Sequence, residues 1–344
     1  MFSSIIGNET AKDFLRRMIA GGRVPHGLLF AGPEGIGKRE FALELARAMM
    51  CRSASDGEAC GECPICRRIG VFELPTSEKG EDYDRVFLSD HPDVGMAIPF
   101  KRNLRVGAIR ELEREANFRP YESELRVFIV NDADKMNDSS SNALLKTLEE
   151  PPSTTFLILV TSRPDSLLHT IRSRCQTIRF APVAAGEIEK LLLETHKLSA
   201  DDAAVAARVC GGSVGRALSL DIAQFRAMRE LMMNVIRSAV VTGDLSAMLQ
   251  TAEQLNDAKN KDRFEENIGI LQTLIRDILA TSKGAETSQI VNADIAGQIS
   301  ELAKDPNAAA LSRWLIEIEE LLASLNVNVN RKAATDKLFV SMSA

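Results

Sequence analysis

Apolar residues in this chain fall first into short unbroken runs and later into helical stripes. Residues 27–31 read Gly-Leu-Leu-Phe-Ala, 126–131 read Arg-Val-Phe-Ile-Val-Asn, and 155–161 read Thr-Phe-Leu-Ile-Leu-Val-Thr. Runs of this length, rich in β-branched and large apolar residues, suit strands buried on both faces, as in a parallel sheet covered by helices. A fourth run, 176–180, closes the series. Helical patterns stand between them. Phe41, Leu45 and Met49 recur at four-residue spacing over 39–50, and Ala143, Leu144, Leu145 and Leu148 mark a helix over 137–150. That helix stops at Pro151-Pro152, where the ring removes the next backbone donor.

The later part is different. Residues 183–222 read as a small helical domain of lid size, interrupted near its end by Gly211-Gly212-Ser213. From 223 to 344 no strand pattern recurs. Ile268, Leu271, Ile275, Ile278 and Leu279 form one stripe, and Leu311, Trp314, Leu315, Ile318, Leu321, Leu322 and Leu325 another. Such stripes predict a helical bundle, packed on itself or on partner subunits. The expected class is α/β over 1–182, then a helical lid over 183–222 and an all-α region over 223–344.

Composition narrows the class. A chain of 344 residues has room for two or three domains, and its net charge of −6 speaks against a general basic coat while allowing a local basic stripe. No apolar run approaches the roughly 18 residues that cross a bilayer. Glu9, Lys12, Asp13, Arg16 and Arg17 stand where a signal peptide would have its apolar core, so a cytoplasmic protein is expected.

Four of the six cysteines, Cys51, Cys60, Cys63 and Cys66, lie in one segment. In a reducing compartment this spacing predicts a metal site; four thiolates close a Zn²⁺ shell and leave no position for a reactive water, so the zinc would be structural. Cys175 and Cys210 read as buried thiols.

Gly32-Pro33-Glu34-Gly35-Ile36-Gly37-Lys38-Arg39 fits G-x-x-x-x-G-K between a strand and a helix. Gly32, Gly35 and Gly37 would let backbone N–H groups converge on phosphate, and the Lys38 ammonium would bridge terminal phosphates. Arg39 stands where Ser or Thr holds Mg²⁺, so ATP binding is allowed but hydrolysis is not expected. After the second strand, Asp132 is placed to help hold a metal, while Ala133 stands where a glutamate would activate water. Turn or helix-start chemistry is an equal reading of Asp132 and Asp134. Lys101-Arg102-Asn103-Leu104-Arg105 precedes a helix reaching about Asn117; helix-start amides with Lys101, Arg102 and Arg105 suit a DNA phosphate, and a solvated basic face is the even alternative. Residues 74–90 read as an irregular charged insertion without recognisable chemistry.

Val24-Pro25-His26-Gly27, the glycine-rich loop, the four cysteines, His91-Pro92-Asp93, the run Asn142-Ala143-Leu144-Leu145-Lys146-Thr147-Leu148-Glu149-Glu150-Pro151-Pro152 and Ser173-Arg174-Cys175 together resemble the bacterial DNA polymerase III clamp-loader family of AAA+ proteins. The resemblance is densest over 1–220 and reaches the tail only as an arrangement of helices. It implies an AAA+ P-loop domain with a zinc insert, a lid and a helical collar. It also implies an open ring of subunits that opens the sliding clamp and sets it on primed DNA, with motor ATPase and delta-type subunits as partners. Motor subunits of the gamma/tau type have Ser or Thr after the loop lysine, Asp-Glu in the second strand and a nucleotide-sensing lid arginine. Here Arg39, Ala133 and Gly215 occupy those places, with Arg216 one position later. The chain therefore resembles a non-motor subunit, and the resemblance assigns Arg174 to a neighbour's ATP in trans, where a fixed cation neutralises charge developing on the γ-phosphate. From the tripeptide alone, an ordinary surface ion pair is the simpler reading. An active motor ATPase and a zinc-dependent DNA-binding module are the competing classes.

Overall fold

A computed structural model describes residues 1–257, 260, 263–304, 310–325 and 330–343. Six strands form one sheet: β1 Gly27–Ala31, β2 Phe87–Leu88, β3 Val94–Ala97, β4 Arg126–Val130, β5 Thr155–Thr161 and β6 Gln176–Arg179. Their order is β2-β3-β4-β5-β1-β6. Neighbours from β3 to β6 run parallel, and β2 is antiparallel to β3. The parallel sheet expected from the sequence is thus mixed at one edge. β2 and β3 escaped the apolar-run criterion because one has two residues and the other, Val-Gly-Met-Ala, is broken by Gly95. A Cβ on Gly95 would lie 2.8 Å from a ring carbon of Phe128, so the close approach of β4 requires the glycine.

The helices, in chain order, are α1 Glu9–Ala20, α2 Lys38–Met50, α3 Pro64–Arg68, α4 Val106–Ala116, α5 Asp138–Glu149, α6 His169–Arg172, α7 Ala185–His196, α8 Ala200–Val209, α9 Val214–Ser219, α10 Ile222–Arg237, α11 Leu245–Asn256, α12 Phe264–Ser282, α13 Ala296–Leu302, α14 Leu311–Ser324 and α15 Arg331–Ser343. The chain divides into two compact units: Met1–Thr195 with Cys210–Leu218, and His196–Val209 with Ser219–Ala344.

In the first unit the sheet is covered on both faces, and side chains alternate between them along each strand. Leu28 and Phe30 of β1 join Leu15 of α1 and Phe41 and Leu45 of α2 in one core. Leu29, from the same strand, joins Ile109 and Leu112 of α4 and Leu144 and Leu148 of α5 in the other. This explains why β1 and β4 are buried at every residue and lack alternation in their sequences. With β5 between β1 and β4, the loops leaving these three strands emerge at one edge of the sheet, where α/β sheets bind ligands.

Local chemistry sets the limits of α5. The Asn137 side chain accepts the Ser140 N–H at 2.9 Å, a cap of the kind that contributes about 1 kcal/mol, and Pro151-Pro152 prevents continuation.

Among its described residues the second unit has helices and no strand. Met232 and Ile236 of α10, Leu271 and Ile275 of α12, Trp314 and Ile318 of α14 and Phe339 of α15 share one core. Both stripes seen in the sequence therefore face into a bundle.

Candidate functional site

The four cysteines come together where α2 ends and α3 begins. Cys51 caps α2, and Cys63 precedes Pro64, the first residue of α3. Their four Sγ atoms lie within 4.8 Å of one another. Individual separations are 3.5 Å for Cys51–Cys60, 4.0 Å for Cys51–Cys63 and 3.9 Å for Cys60–Cys66. A tetrahedral ion with Zn–S bonds of about 2.3 Å requires S···S distances of about 3.8 Å, so the cluster has the size of such a site.

Backbone N–H groups prepare the sulfurs as anions: Cys60 N–H points to Cys51 Sγ, Cys63 N–H to Cys60 Sγ and Cys66 N–H to Cys63 Sγ, at 3.3–3.4 Å. The amides of Cys63 and Glu62 lower the Cys60 thiol to about 6. Burial, with the Cys63 sulfur next, raises the Cys66 thiol. The knuckle is fastened by residues that the spacing of the cysteines did not reveal. Arg47 of α2 donates to the carbonyls of Cys66 at 3.1 Å and Ile69 at 2.6 Å. Glu58 pairs with Arg16 of α1 at 2.6 Å.

At the exit of β1, the glycine-rich loop turns through left-handed conformations at Gly35 (φ +72°) and Gly37 (φ +91°) and enters α2 at Lys38. Lys38 is 6% exposed, and its ammonium turns back to donate to the carbonyl of Gly32 at 2.7 Å and to that of Pro33. Burial lowers its pKa, while Asp132, Glu34 and Asp134 oppose the shift. The loop is closely covered from its own unit. Gly215 donates to the Gly35 carbonyl, and a Cβ on Gly32 would lie 2.3 Å from the Phe180 carbonyl oxygen. Arg39 points outward to Glu40 at 3.3 Å, and the loop carries no hydroxyl at all.

The two aspartates are occupied structurally. Asp132, left-handed at φ +50°, pairs with Lys135 at 3.0 Å. Asp134, its side chain 3% exposed, accepts Thr161 Oγ1 at 2.7 Å, Ser162 N–H at 3.2 Å and Arg163 Nη2 at 3.1 Å, tying the ends of β4 and β5 together. Burial pushes the Asp134 carboxyl up, but Thr161, Ser162 and Arg163 outweigh it and hold the group below its ordinary value. Ala133 is fully buried and offers no base.

Arg174 follows α6 in the turn before β6. It is partly exposed, with Nη2 2.8 Å from Glu149 Oε1 and Nη1 donating to the Thr170 carbonyl at 2.9 Å. Ser173 Oγ bonds the same carbonyl at 3.1 Å, and the buried Cys175 thiol is pushed up to about 12 by burial. Both flanking residues thus belong to the turn itself.

The basic run 101–105 is placed differently from its neighbours in sequence. Arg105 pairs with Asp84 at 2.7 Å, and Arg105 holds the Asp84 carboxyl below its ordinary value. That carboxylate also lies against Gly107 in the first turn of α4. The helix start expected to meet a phosphate therefore faces a carboxylate supplied by the 74–90 insertion. Lys101 Nζ sits 5.1 Å over the Phe100 ring. Asp93 of His91-Pro92-Asp93 accepts the N–H groups of Tyr121, Glu122 and Ser123 at 2.7, 2.9 and 2.8 Å, a structural anchor beside the buried Arg126.

Among the described residues, no helix is long and apolar enough to cross a membrane. A family model described as "DNA polymerase III, delta subunit" matches residues 7–184, and one described as "DNA polymerase III, delta subunit, C terminal" matches residues 224–335. DNA polymerase III subunit delta' of Escherichia coli is 29% identical over 313 residues, covering 89% of this chain and 86% of that protein. The Bacillus subtilis subunit delta' is 28% identical over 324 residues, covering 93% and 91%. Escherichia coli subunit tau is 30% identical over 224 residues, covering 64% of this chain and 32% of that protein. The chain belongs to the DNA polymerase III delta-subunit family, as a clamp-loader subunit of the delta/delta' type.

Proposed function

We propose that this chain is a non-hydrolysing subunit of the clamp loader that serves DNA polymerase III, and that it supplies Arg174 in trans to ATP held by a neighbouring motor subunit. The observation that carries the reading is the state of its own phosphate loop. The Mg²⁺-ligating hydroxyl is replaced by an outward Arg39, Lys38 bonds the loop's carbonyls, and both nearby aspartates are engaged in structure. Phosphoryl transfer relies on a metal ion, an oriented nucleophile and cations around the developing charge. Its own site lacks the hydroxyl that ligates the metal and the glutamate that orients the nucleophile, whereas Arg174 presents the third.

On this reading residues 1–182 form the AAA+ P-loop domain, 183–222 the lid and 223–344 the collar through which subunits assemble. Cys51, Cys60, Cys63 and Cys66 hold Zn²⁺, which braces the insert and supplies no reactive water, since all four positions are protein thiolates. Gly32, Gly35, Gly37, Lys38, Arg39 and Asp132 would surround any nucleotide that binds without turnover. Partners are motor ATPase and delta-type subunits, the sliding clamp and primed DNA, in the cytoplasm; Lys101, Arg102 and Arg105 are the DNA-phosphate candidates as a basic run preceding α4, although Asp84 already pairs with Arg105 and lies against the start of that helix. Steady-state ATP hydrolysis by the purified chain tests the first half of the proposal. Turnover indistinguishable from buffer is expected, and sustained Mg²⁺-dependent turnover would contradict it.

A further inference from the structure

Arg174 is gripped from two directions. Glu149, the last residue of α5, takes Nη2 at 2.8 Å, and the Thr170 carbonyl of α6 takes Nη1 at 2.9 Å. A planar guanidinium held at both terminal nitrogens has its plane and heading fixed, which one bond would not achieve. Arginine has five N–H donors, so two such bonds leave others for an incoming phosphate.

Glu149 is placed where a helix does not favour it. The last turn of a helix carries partial negative charge and prefers cations, yet α5 ends in Glu149 followed by Glu150. Lys146 already stands in that last turn, and Arg174 adds a second cation directly beside Glu149. The junction is also tightly packed: a Cβ on Gly27, at the start of β1, would lie 3.0 Å from the Arg174 carbonyl oxygen, 3.2 Å from Leu148 Cδ2 and 3.4 Å from Cys175 Sγ. The end of α5 and the Arg174 turn are therefore located against the same strand. An ion pair this exposed adds little to stability, so its consequence lies in orientation.

We propose that Glu149 is a positioning residue that holds the Arg174 guanidinium in the heading from which it meets the terminal phosphate of a nucleotide on the adjoining subunit. The inference rests on the trans-arginine reading above. Misplacing a catalytic group by about 1 Å can cost on the order of 100-fold in rate, so loss of the grip has a measurable kinetic consequence.

The test uses complexes assembled with gamma/tau-type and delta subunits, carrying this chain as wild type, Arg174→Ala, Glu149→Ala, Glu149→Gln or the double variant. DNA-stimulated ATP turnover is measured as kcat and KM. The share of turnover lost in Arg174→Ala defines what the arginine supplies. Glu149→Ala is expected to remove most of that share through kcat with KM unchanged. Glu149→Gln, which keeps an acceptor oxygen, restores part of it, and the double variant matches Arg174→Ala. Should Glu149→Ala fail to assemble, Glu149→Asp replaces it with the same expected loss. A Glu149 variant running at the wild-type rate or above, or a loss that adds in full to that of Arg174→Ala, overturns the inference and leaves the trans-arginine reading standing. A full-speed Arg174→Ala complex overturns that reading itself.

Discussion

Gly215 donates its backbone N–H to the Gly35 carbonyl at 2.8 Å, and the Ser213 hydroxyl stands 2.1 Å from where a Cβ on Gly35 would be. The middle glycine of the glycine-rich loop is thus spent on an internal contact. Its φ of +72° adds a backbone reason for glycine. Gly35→Ala should lower unfolding free energy by about 1–3 kcal/mol in denaturant titrations, from strain at positive φ. A variant as stable as wild type would show that the 213–215 segment does not bear on the loop.

The four-cysteine cluster should hold close to one zinc per chain, measured by elemental analysis of protein purified without added metal. Cys63→Ser, or prolonged exposure to a strong chelator, should release the ion and make the 51–66 segment sensitive to protease, because metal binding contributes directly to folding at such sites. Protein that contains no zinc and melts identically with and without chelator would exclude the assignment.

Stability should depend on pH through His91. The ring is buried, Nδ1 accepts the Asp93 N–H at 3.3 Å, and Nε2 lies 3.2 Å from Ser123 Oγ. An acceptor nitrogen must be unprotonated, and burial lowers the pKa below its ordinary 6.5 against the pull of Asp93 and Glu122. The unfolded chain therefore binds the proton first as pH falls. The contribution is complete above 6.5 and is lost on acidification below it, with a slope of at most about 1.4 kcal/mol per pH unit. Melting temperatures from pH 8 to 5 should fall at the acid end, and His91→Gln should flatten that part of the profile. A histidine-independent profile would remove His91 as its source.

Features that depend on neighbours in sequence were legible there; those made by tertiary pairing were not. β1, β4 and β5 were visible because burial on both faces leaves unbroken apolar runs, and the cysteine cluster because its ligands sit in one segment. Arg39 and Ala133 were legible as residues that carry neither a hydroxyl nor a carboxylate. Asp134 gave no sign of its role, since its partners Thr161, Ser162 and Arg163 come from another strand. Asp84 lay in an insertion without recognisable chemistry, and only the fold brings it against Arg105 and the start of α4. Glu149 stands in the run Asn142–Pro152, but the pairing that gives it meaning joins the end of α5 to the turn after α6.

The proposed division between a silent phosphate loop and an exported arginine is tested most directly by ATP turnover in the assembled complex. Complexes of gamma/tau-type and delta subunits containing this chain with Arg174→Ala should assemble fully and bind primed DNA, yet lose the DNA-stimulated hydrolysis assigned to the site that faces Arg174, by a factor on the order of 10³ at that site. Hydrolysis and clamp loading at the wild-type rate with the guanidinium gone would contradict the account.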